Sequence, residues 1–491
     1  VADVGTNLGI VVGYLVLALG VGLAAYRVTD RSATDYYLAS RSVGPLVLLF
    51  TTFATLLSAF TFFGGPNLAY GSGPEWILVM GVMDGILFAL LWYVVGYKQW
   101  LVGREHGYVT LGEMLGDRFD STRLRGLVAG VSLLWLFPYV MLQQIGAGQA
   151  LVGLTDGVVP YWAGAAMITL FMVAYVGLSG LRGVAWTDTL QGVFMLGAIW
   201  LAVAWIAVDA GGVSALTAGM LEAEPSFAAL GGGVYTPQWM IGQAVVIAFG
   251  VAAFPQVNQR FFVADRVETL KRSFALWPVL VLALFVPAFL LGSWAVGLGV
   301  TVPEGSNVLP VLLTEYTPAW FAALVVAGAL AAMMSSSDSM LLSGSSYLTR
   351  DLYRPLVAPE ASAEREGWVA RVGVAVFATA SFVASLFAGG GGLDALVTLG
   401  STAFGGYAQL TPPLLLALYW GGTTERGMLS GILGAESLYL AHTFLPLPST
   451  YLTWDVALWC LLVSVVVTVA VSAVTTSATE AGAAKFGIGA D

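Results

Sequence analysis

Thirteen stretches of this chain are apolar over the roughly 20 residues that a helix needs to cross a bilayer core, and that leaves few fold classes open. They lie near 8–26, 44–70, 76–98, 126–154, 160–178, 186–208, 236–259, 274–299, 317–349, 368–389, 393–420, 426–446 and 455–475. With 58% of residues hydrophobic and 10% charged, the charges gather between these runs, as in an all-α polytopic membrane protein. The longest stretch left over, 209–235, has the size of a loop, so no catalytic domain is expected and the chain reads as one membrane body, not an enzyme. No basic residue precedes the first run and Arg27 follows it, which marks a retained span, not a signal peptide.

The cations test the count, because each span flips the side on which the next loop falls. Arg27, Arg31 and Arg41 follow span 1; Lys98, Arg104, Arg118, Arg123 and Arg125 follow span 3; Arg182 follows span 5. Arg260, Arg266, Lys271 and Arg272 follow span 7, Arg350, Arg354, Arg365 and Arg371 span 9, Arg426 span 11, and Lys485 lies in the tail. All 19 cations therefore fall on one side, which predicts a plasma-membrane protein with its N-terminus outside and its C-terminus inside. Asp3, Glu75, Asp156, Asp209, Glu222, Glu224, Glu304, Glu315 and Asp455 make the opposite side acidic and exclude nucleic acid as a partner there. A net charge of −10 with only three lysines suits a salt-loving organism. Cys460 stands alone, and His106 in an inner loop is far from His442 near an outer helix end, so neither a disulfide framework nor a thiolate or histidine metal site is expected.

Two spans are interrupted. Gly64, Gly65, Pro66 and Asn67 break the second, in "FATLLSAFTFFGGPNLAYGSG"; Pro255, Gln256 and Asn258 break the seventh, in "AFGVAAFPQVNQRFF". Freed backbone groups in hydrocarbon survive only inside the protein or beside a watery cavity, so such breaks point to a transport site. The broken spans are five apart and cross in opposite directions, the signature of two inverted five-helix repeats. The expected organisation is a leading helix and loop (1–43), a transport core (44–420, with repeats at about 44–208 and 236–420), and two trailing helices with a short tail (421–491).

The ninth span carries "AAMMSSSDSML" at its centre. On a helix, Ser335 and Ser339 share one face with Leu342, and Ser336, Ser339 and Ser343 form the adjoining stripe. A single such serine bonds back to its own helix or packs against a neighbour. Four with Asp338 are another matter, because an intramembrane carboxylate needs a partner and hydroxyls with freed carbonyls suit an alkali cation. Asp188, in "GLSGLRGVAWTDTLQG", either pairs with Arg182 near the helix end or, with Thr187, Thr189 and Gln191 beside it, lines an ion pathway.

These segments resemble the sodium:solute symporter family, and the resemblance runs from about residue 8 to 475, with the WTDTLQ and MSSSDS motifs as its specific part. It implies a LeuT-like fold and sodium-coupled uptake of a small solute (a monocarboxylate, an amino acid or a pantothenate-like acid) by alternating access, with sodium as the coupling ion. Carried over motif to motif, it implies a sodium site formed by the carbonyls of Ala54, Leu57 and Ala332 and the hydroxyls of Ser335 and Ser336. It also implies a second ion site at Asp188, Ser335, Asp338 and Ser339. Relatives more often have a neutral hydroxyl where this chain has Asp338, so that carboxylate either binds sodium or carries a proton, and proton coupling through Asp338 and Asp188 stands as the alternative. A sensor of the same shape would append a signalling domain, and the tail after 475 is short.

The implied substrate pocket comprises Phe60, Thr61, Ile247, Val251, Phe254 and Pro255. Proline-type relatives carry Asp at the position of Leu56 and Tyr at that of Val251, and sugar-type relatives carry polar residues at Leu56 and Thr61, so this chain departs from both. The spans contain no Lys or Arg in this reading, and an anionic solute would rely on helix N-termini and hydroxyls. Asp84, in "VMDGILF", either faces an ammonium group or is a bonded structural carboxylate; Gln143, Gln144 and Gln409 are further polar candidates.

Overall fold

The computed structural model describes residues 4–26, 33–388, 394–476 and 480–488. Asp3, Arg27, Arg31 and the edges of two expected spans at 389 and 393 lie outside the described residues.

Helix occupies all thirteen expected positions, but in unequal pieces. Among the described residues, eight helices are long and apolar enough to cross a membrane: Val4–Ala24, Leu78–His106, Thr122–Leu154, Gly180–Asp209, Val267–Gly297, Ala319–Leu356, Ala363–Ala388 and Val456–Val474. Two bent pairs raise the number to ten, Pro45–Leu56 with Phe60–Ser72 at 61° and Pro237–Ala253 with Pro255–Val263 at 57°. The other three positions hold Tyr161–Gly177, the interrupted Ala395–Ala408 and Thr411–Tyr419, and Glu425–Phe444. The loop expected at 209–235 contains a helix, Val213–Ala223, and a two-stranded hairpin pairs Thr450–Tyr451 with Trp454–Asp455.

The second break follows its proline as expected. The residue before a proline is pushed out of the helical region, and Phe254 sits at ψ 129°. The side-chain amide of Asn258 then donates to the Ala252 carbonyl, which lost its helical donor at the break, at 3.3 Å, and to the Phe254 carbonyl, which also accepts the Val257 and Asn258 backbone amides, at 2.7 Å.

The first break is not where the glycines and proline suggest. It falls at Leu57, which is extended at φ −86°, ψ 125°. Phe60–Gly64 form a widened π turn that absorbs Pro66 at the start of the next helix. Gly65 instead serves packing, since a Cβ there would lie 1.7 Å from the Phe289 ring.

Segments that follow alternate spans meet on one face. Arg41 donates to the carbonyls of Phe262 and Tyr108 at 3.0 and 2.8 Å. Arg125 joins Glu113 and Asp351 at 3.2 and 2.8 Å, and Arg350 pairs with Glu113 at 2.5 Å. Ser121 donates to Glu425 at 2.5 Å, and Lys485 of the tail pairs with Asp117 at 2.9 Å. This basic face lies opposite the one that carries Glu75, Asp156, Glu224 and Glu315.

Tyr161–Asp209 is helical throughout except at Gly180, where the chain turns back at φ 57°, ψ −173°. A Cβ at that position would also come within 2.9 Å of the Tyr36 ring. Gly180→Ala is expected to cost about 1–3 kcal/mol through strain alone, read as a lower thermal unfolding midpoint of the purified protein.

Candidate ion and solute site

The amides that would close the helix onto the carbonyls of Thr55, Leu56 and Leu57 belong to Ala59, Phe60 and Thr61, four residues on. All three bond elsewhere: Ala59 to the Gln143 side-chain oxygen at 2.9 Å, Phe60 to the Ser58 hydroxyl at 3.2 Å, and Thr61 to the Ser58 carbonyl at 3.0 Å. Gln143 thus braces the break and does not line the solute cavity, and its amide donates to the Tyr139 carbonyl at 3.1 Å. Gln144 and Gln409 are bonded between helices in the same way, to Thr169 and Ala378 and to Gly405 and Ala457.

Across the break stands Ser336. Its hydroxyl lies 2.6 Å from the Leu57 carbonyl and 3.0 Å from that of Thr55. A hydroxyl has one proton, so two carbonyls share a single donor and both keep lone pairs to spare. Oxygen-only donors in a buried pocket fit an alkali cation. The carbonyl beside Ser336 is that of Thr55 where Ala54 was expected, while Ala332 is buried one helical turn before Ser336. Ser335 turns away, and its hydroxyl donates to Asp188 Oδ1 at 2.5 Å.

Asp188 is the hub of a second cluster. Its Oδ2 accepts from Thr51 Oγ1 at 2.5 Å, Thr55 Oγ1 at 3.4 Å and Arg260 Nη2 at 3.2 Å. The same guanidinium nitrogen donates to Ser339 Oγ at 2.5 Å, and Ser339 contacts Thr55 Oγ1 at 2.9 Å. Arg260 is therefore not a loop cation: it lies on the Pro255–Val263 helix with its side chain 1% exposed. Asp188 pairs with it and not with Arg182, whose guanidinium reaches the Ala39 carbonyl at 3.5 Å. Asp338 is buried nearby on the same helix as Ser335, but it gives Asp188 no hydrogen bond and its Oδ1 has no partner. Of the expected second site, Asp188, Ser335 and Ser339 come together around the guanidinium and Asp338 stands apart.

Beside the first break a cavity of about 20 Å³ is lined by Leu56, Phe60, Thr61, Asp84, Ile247 and Val251, among others. Phe254 and Pro255 are not among its walls; the Phe254 ring backs it, stacked on Phe404 at 5.4 Å and set edge-on to Tyr139 at 5.3 Å. Sequence reasoning missed Arg260, Thr51, Thr55 and the distal walls Tyr139, Trp277 and Phe404. For Arg260 a signal existed, since the apolar "FFVA" follows it and carries the segment past the expected end of the span at 259.

Known proteins match the chain over most of its length. Residues 36–434 match the sodium:solute symporter family. The chain is 29% identical over 433 residues to a sodium/pantothenate symporter of Escherichia coli, covering 87% of this chain and 88% of the relative. It is 27% identical over 451 residues to a sodium/proline symporter of Haemophilus influenzae, covering 88% and 87%. A solved Na+-coupled sialic acid symporter, substrate-bound and outward-open, superposes with a TM-score of 0.79 at 22% identity, covering 96% of this chain and 98% of that one. The shared architecture is the LeuT-like one.

Removing one member of a buried ion pair strands the other, at about 3–5 kcal/mol. Arg260→Ala is expected to lower the thermal midpoint of the detergent-purified protein by that order, and adding Asp188→Asn is expected to recover more than half of the loss. Equal, additive losses in the two single variants would show that the pair is not coupled.

Proposed function

Since the chain belongs to the sodium:solute symporter family, we propose that sodium binds where Ser336 faces the first break, with the carbonyls of Thr55 and Leu57 as its other ligands. The protein couples sodium to the symport of a small organic solute. The observation that carries the site is the single Ser336 proton shared by two carbonyls released from their helix. A cation there accepts all three oxygens at once, which the hydroxyl alone does not. Ala54, Ala332 and Ser335 complete the surroundings.

The transport core is 44–420, flanked by the leading helix and the two trailing ones. The basic face is cytoplasmic by the positive-inside rule, so the N-terminus is outside the cell membrane and the C-terminus inside. The acidic composition fits a high-salt habitat. One sodium crossing a potential of 100 mV contributes about 2.3 kcal/mol, or roughly fifty-fold accumulation of solute.

We assign one sodium per solute, because the Arg260 guanidinium already holds Asp188 and Ser339, two of the oxygen ligands that a second ion would need. Proton coupling is the competing reading, and the unpartnered Oδ1 of Asp338 is what favours it. Relatives are named for pantothenate, proline and sialic acid; for this chain the solute class is a small amino acid, pantothenate-like acid or monocarboxylate.

Uptake of a panel of labelled solutes into proteoliposomes decides among these. The expected result is transport driven by a sodium gradient and not by a proton gradient, with a Hill coefficient for sodium near 1. Ser336→Ala is expected to raise the half-saturating sodium concentration about tenfold or more, and Asp338→Asn to leave sodium-driven uptake in place. Transport driven by protons and lost in Asp338→Asn would replace the sodium reading with the other.

A further inference from the structure

Three buried acidic side chains stand near the transport pathway, and they are partnered very differently. Asp188 takes four donors. Asp84 takes none: it is 1% exposed, and neither Oδ1 nor Oδ2 has a hydrogen-bond partner. It also lines the cavity beside the first break. The bonded structural carboxylate considered from sequence is thus not what the structure contains.

The backbone is shaped to put it there. Leu78–Met83 form a π turn that ends at Asp84, and a second π turn, Phe60–Gly64, supplies Phe60 and Thr61 to the same cavity. Such widened turns cluster at functional sites because they re-aim side chains that a regular helix would point elsewhere.

The other walls specify what the carboxylate is for. Around it stand the rings of Phe60, Phe88, Tyr139, Trp277, Phe285 and Phe404, and the indole N–H of Trp277 is itself buried without a partner. An ionised carboxylate in such surroundings costs several kcal/mol unless a cation joins it. An alkali ion needs a shell of oxygens, and apart from Asp84 the side-chain oxygens here are those of Thr61 and Tyr139. Aromatic faces, by contrast, attract organic cations. A carboxylate group as the solute's sole polar feature finds no welcome: no Lys or Arg lines the cavity, and the amides of Ala59, Phe60, Thr61 and Phe62 at the break are all engaged.

We infer that Asp84 is the recognition point for an organic ammonium group, so that the co-transported solute carries a protonated amine or quaternary nitrogen. The inference rests on the transport reading above, in that the cavity is taken as the solute site. Within that class the unpartnered Trp277 N–H provides for an oxygen acceptor on the same molecule, which makes an amino acid or a hydroxylated amine a better fit than a bare alkylammonium.

The test is binding to the purified full chain in saturating sodium, followed by thermal shift and titration calorimetry. The probes are proline, glycine betaine, choline and butylammonium, set against the uncharged choline isostere 3,3-dimethylbutan-1-ol and the carboxylates lactate and pantothenate. At least one ammonium probe is expected to bind saturably in the parent, with the neutral isostere and the carboxylates weaker by about 30-fold or more, the equivalent of one charge-assisted contact. Asp84→Asn is expected to weaken that probe by a similar factor. The comparison within the parent needs no variant and stands even if Asp84→Asn folds poorly. Equal binding of a neutral or purely anionic probe, undiminished ammonium binding in Asp84→Asn, or no binding of any ammonium probe would each overturn the inference. Sodium added alone is a separate arm: a parent without a sodium-induced shift refutes sodium coupling whatever the probes do.

Discussion

A backbone carbonyl released from its helix in a low-dielectric interior must be bonded by something else, and the two bent helices meet that requirement in different ways. At the Pro255 break the Asn258 side chain, from within its own segment, bonds the freed carbonyl of Ala252. At the Leu57 break the amides are claimed by Gln143 and Ser58, and the carbonyls of Thr55 and Leu57 are left to one hydroxyl on another helix. The asymmetry makes the first break the place where a cation gains most. A cation at the proposed site would also tie the Pro45–Leu56 helix to Ala319–Leu356.

Charge follows the same economy of partners. Asp188 has a guanidinium and three hydroxyls, Asp338 keeps one oxygen unbonded, and Asp84 has no donor at all. The pair Asp188–Arg260 is built into the fold, drawing on four separate helical segments, and its geometry does not await a ligand. The unpartnered groups are the ones whose stability changes when something binds. On this reading the guanidinium is a resident cation in a site that a second mobile ion would otherwise occupy.

Much of this was legible in the chain. The length and spacing of the apolar runs, the alternation of cations and the two interrupted spans fixed the helical plan, because bilayer thickness and backbone satisfaction act on any sequence. What resisted reading depended on tertiary partners. "GGP" looks like a break, yet Gly65 is small so that Phe289 can approach, while the actual break at Leu57 has no breaker residue and is created by Gln143 from another helix. Arg260 scores as a loop cation on hydropathy and is buried only because Asp188, 72 positions earlier, meets it. Pro255, whose role is local, was read correctly as a breaker, whereas Asn258 lies inside the helix that follows and bonds back across the break; residues whose roles are set by a partner far away in sequence were not read.

The proposed sodium site and the Asp188 cluster draw on the same helices, an arrangement that suits coupling. Ser336 reaches the end of the Pro45–Leu56 helix at Leu57, while Ser335 beside it and Ser339 one turn on face Asp188 and Arg260. Further toward the basic face, Gln259 donates to the Tyr37 carbonyl at 2.7 Å and the Val43 amide to Val263 at 3.3 Å, stitching the two broken segments together. If opening toward the basic face separates these segments, a cation at the proposed Ser336 site would hold one of them in register with Ala319–Leu356. A ligand shifts such an equilibrium only by the difference in its affinity for the two states. At the proposed site sodium would drive the cycle to the extent that the distances between Ser336 and the carbonyls of Thr55 and Leu57 change when the basic side opens.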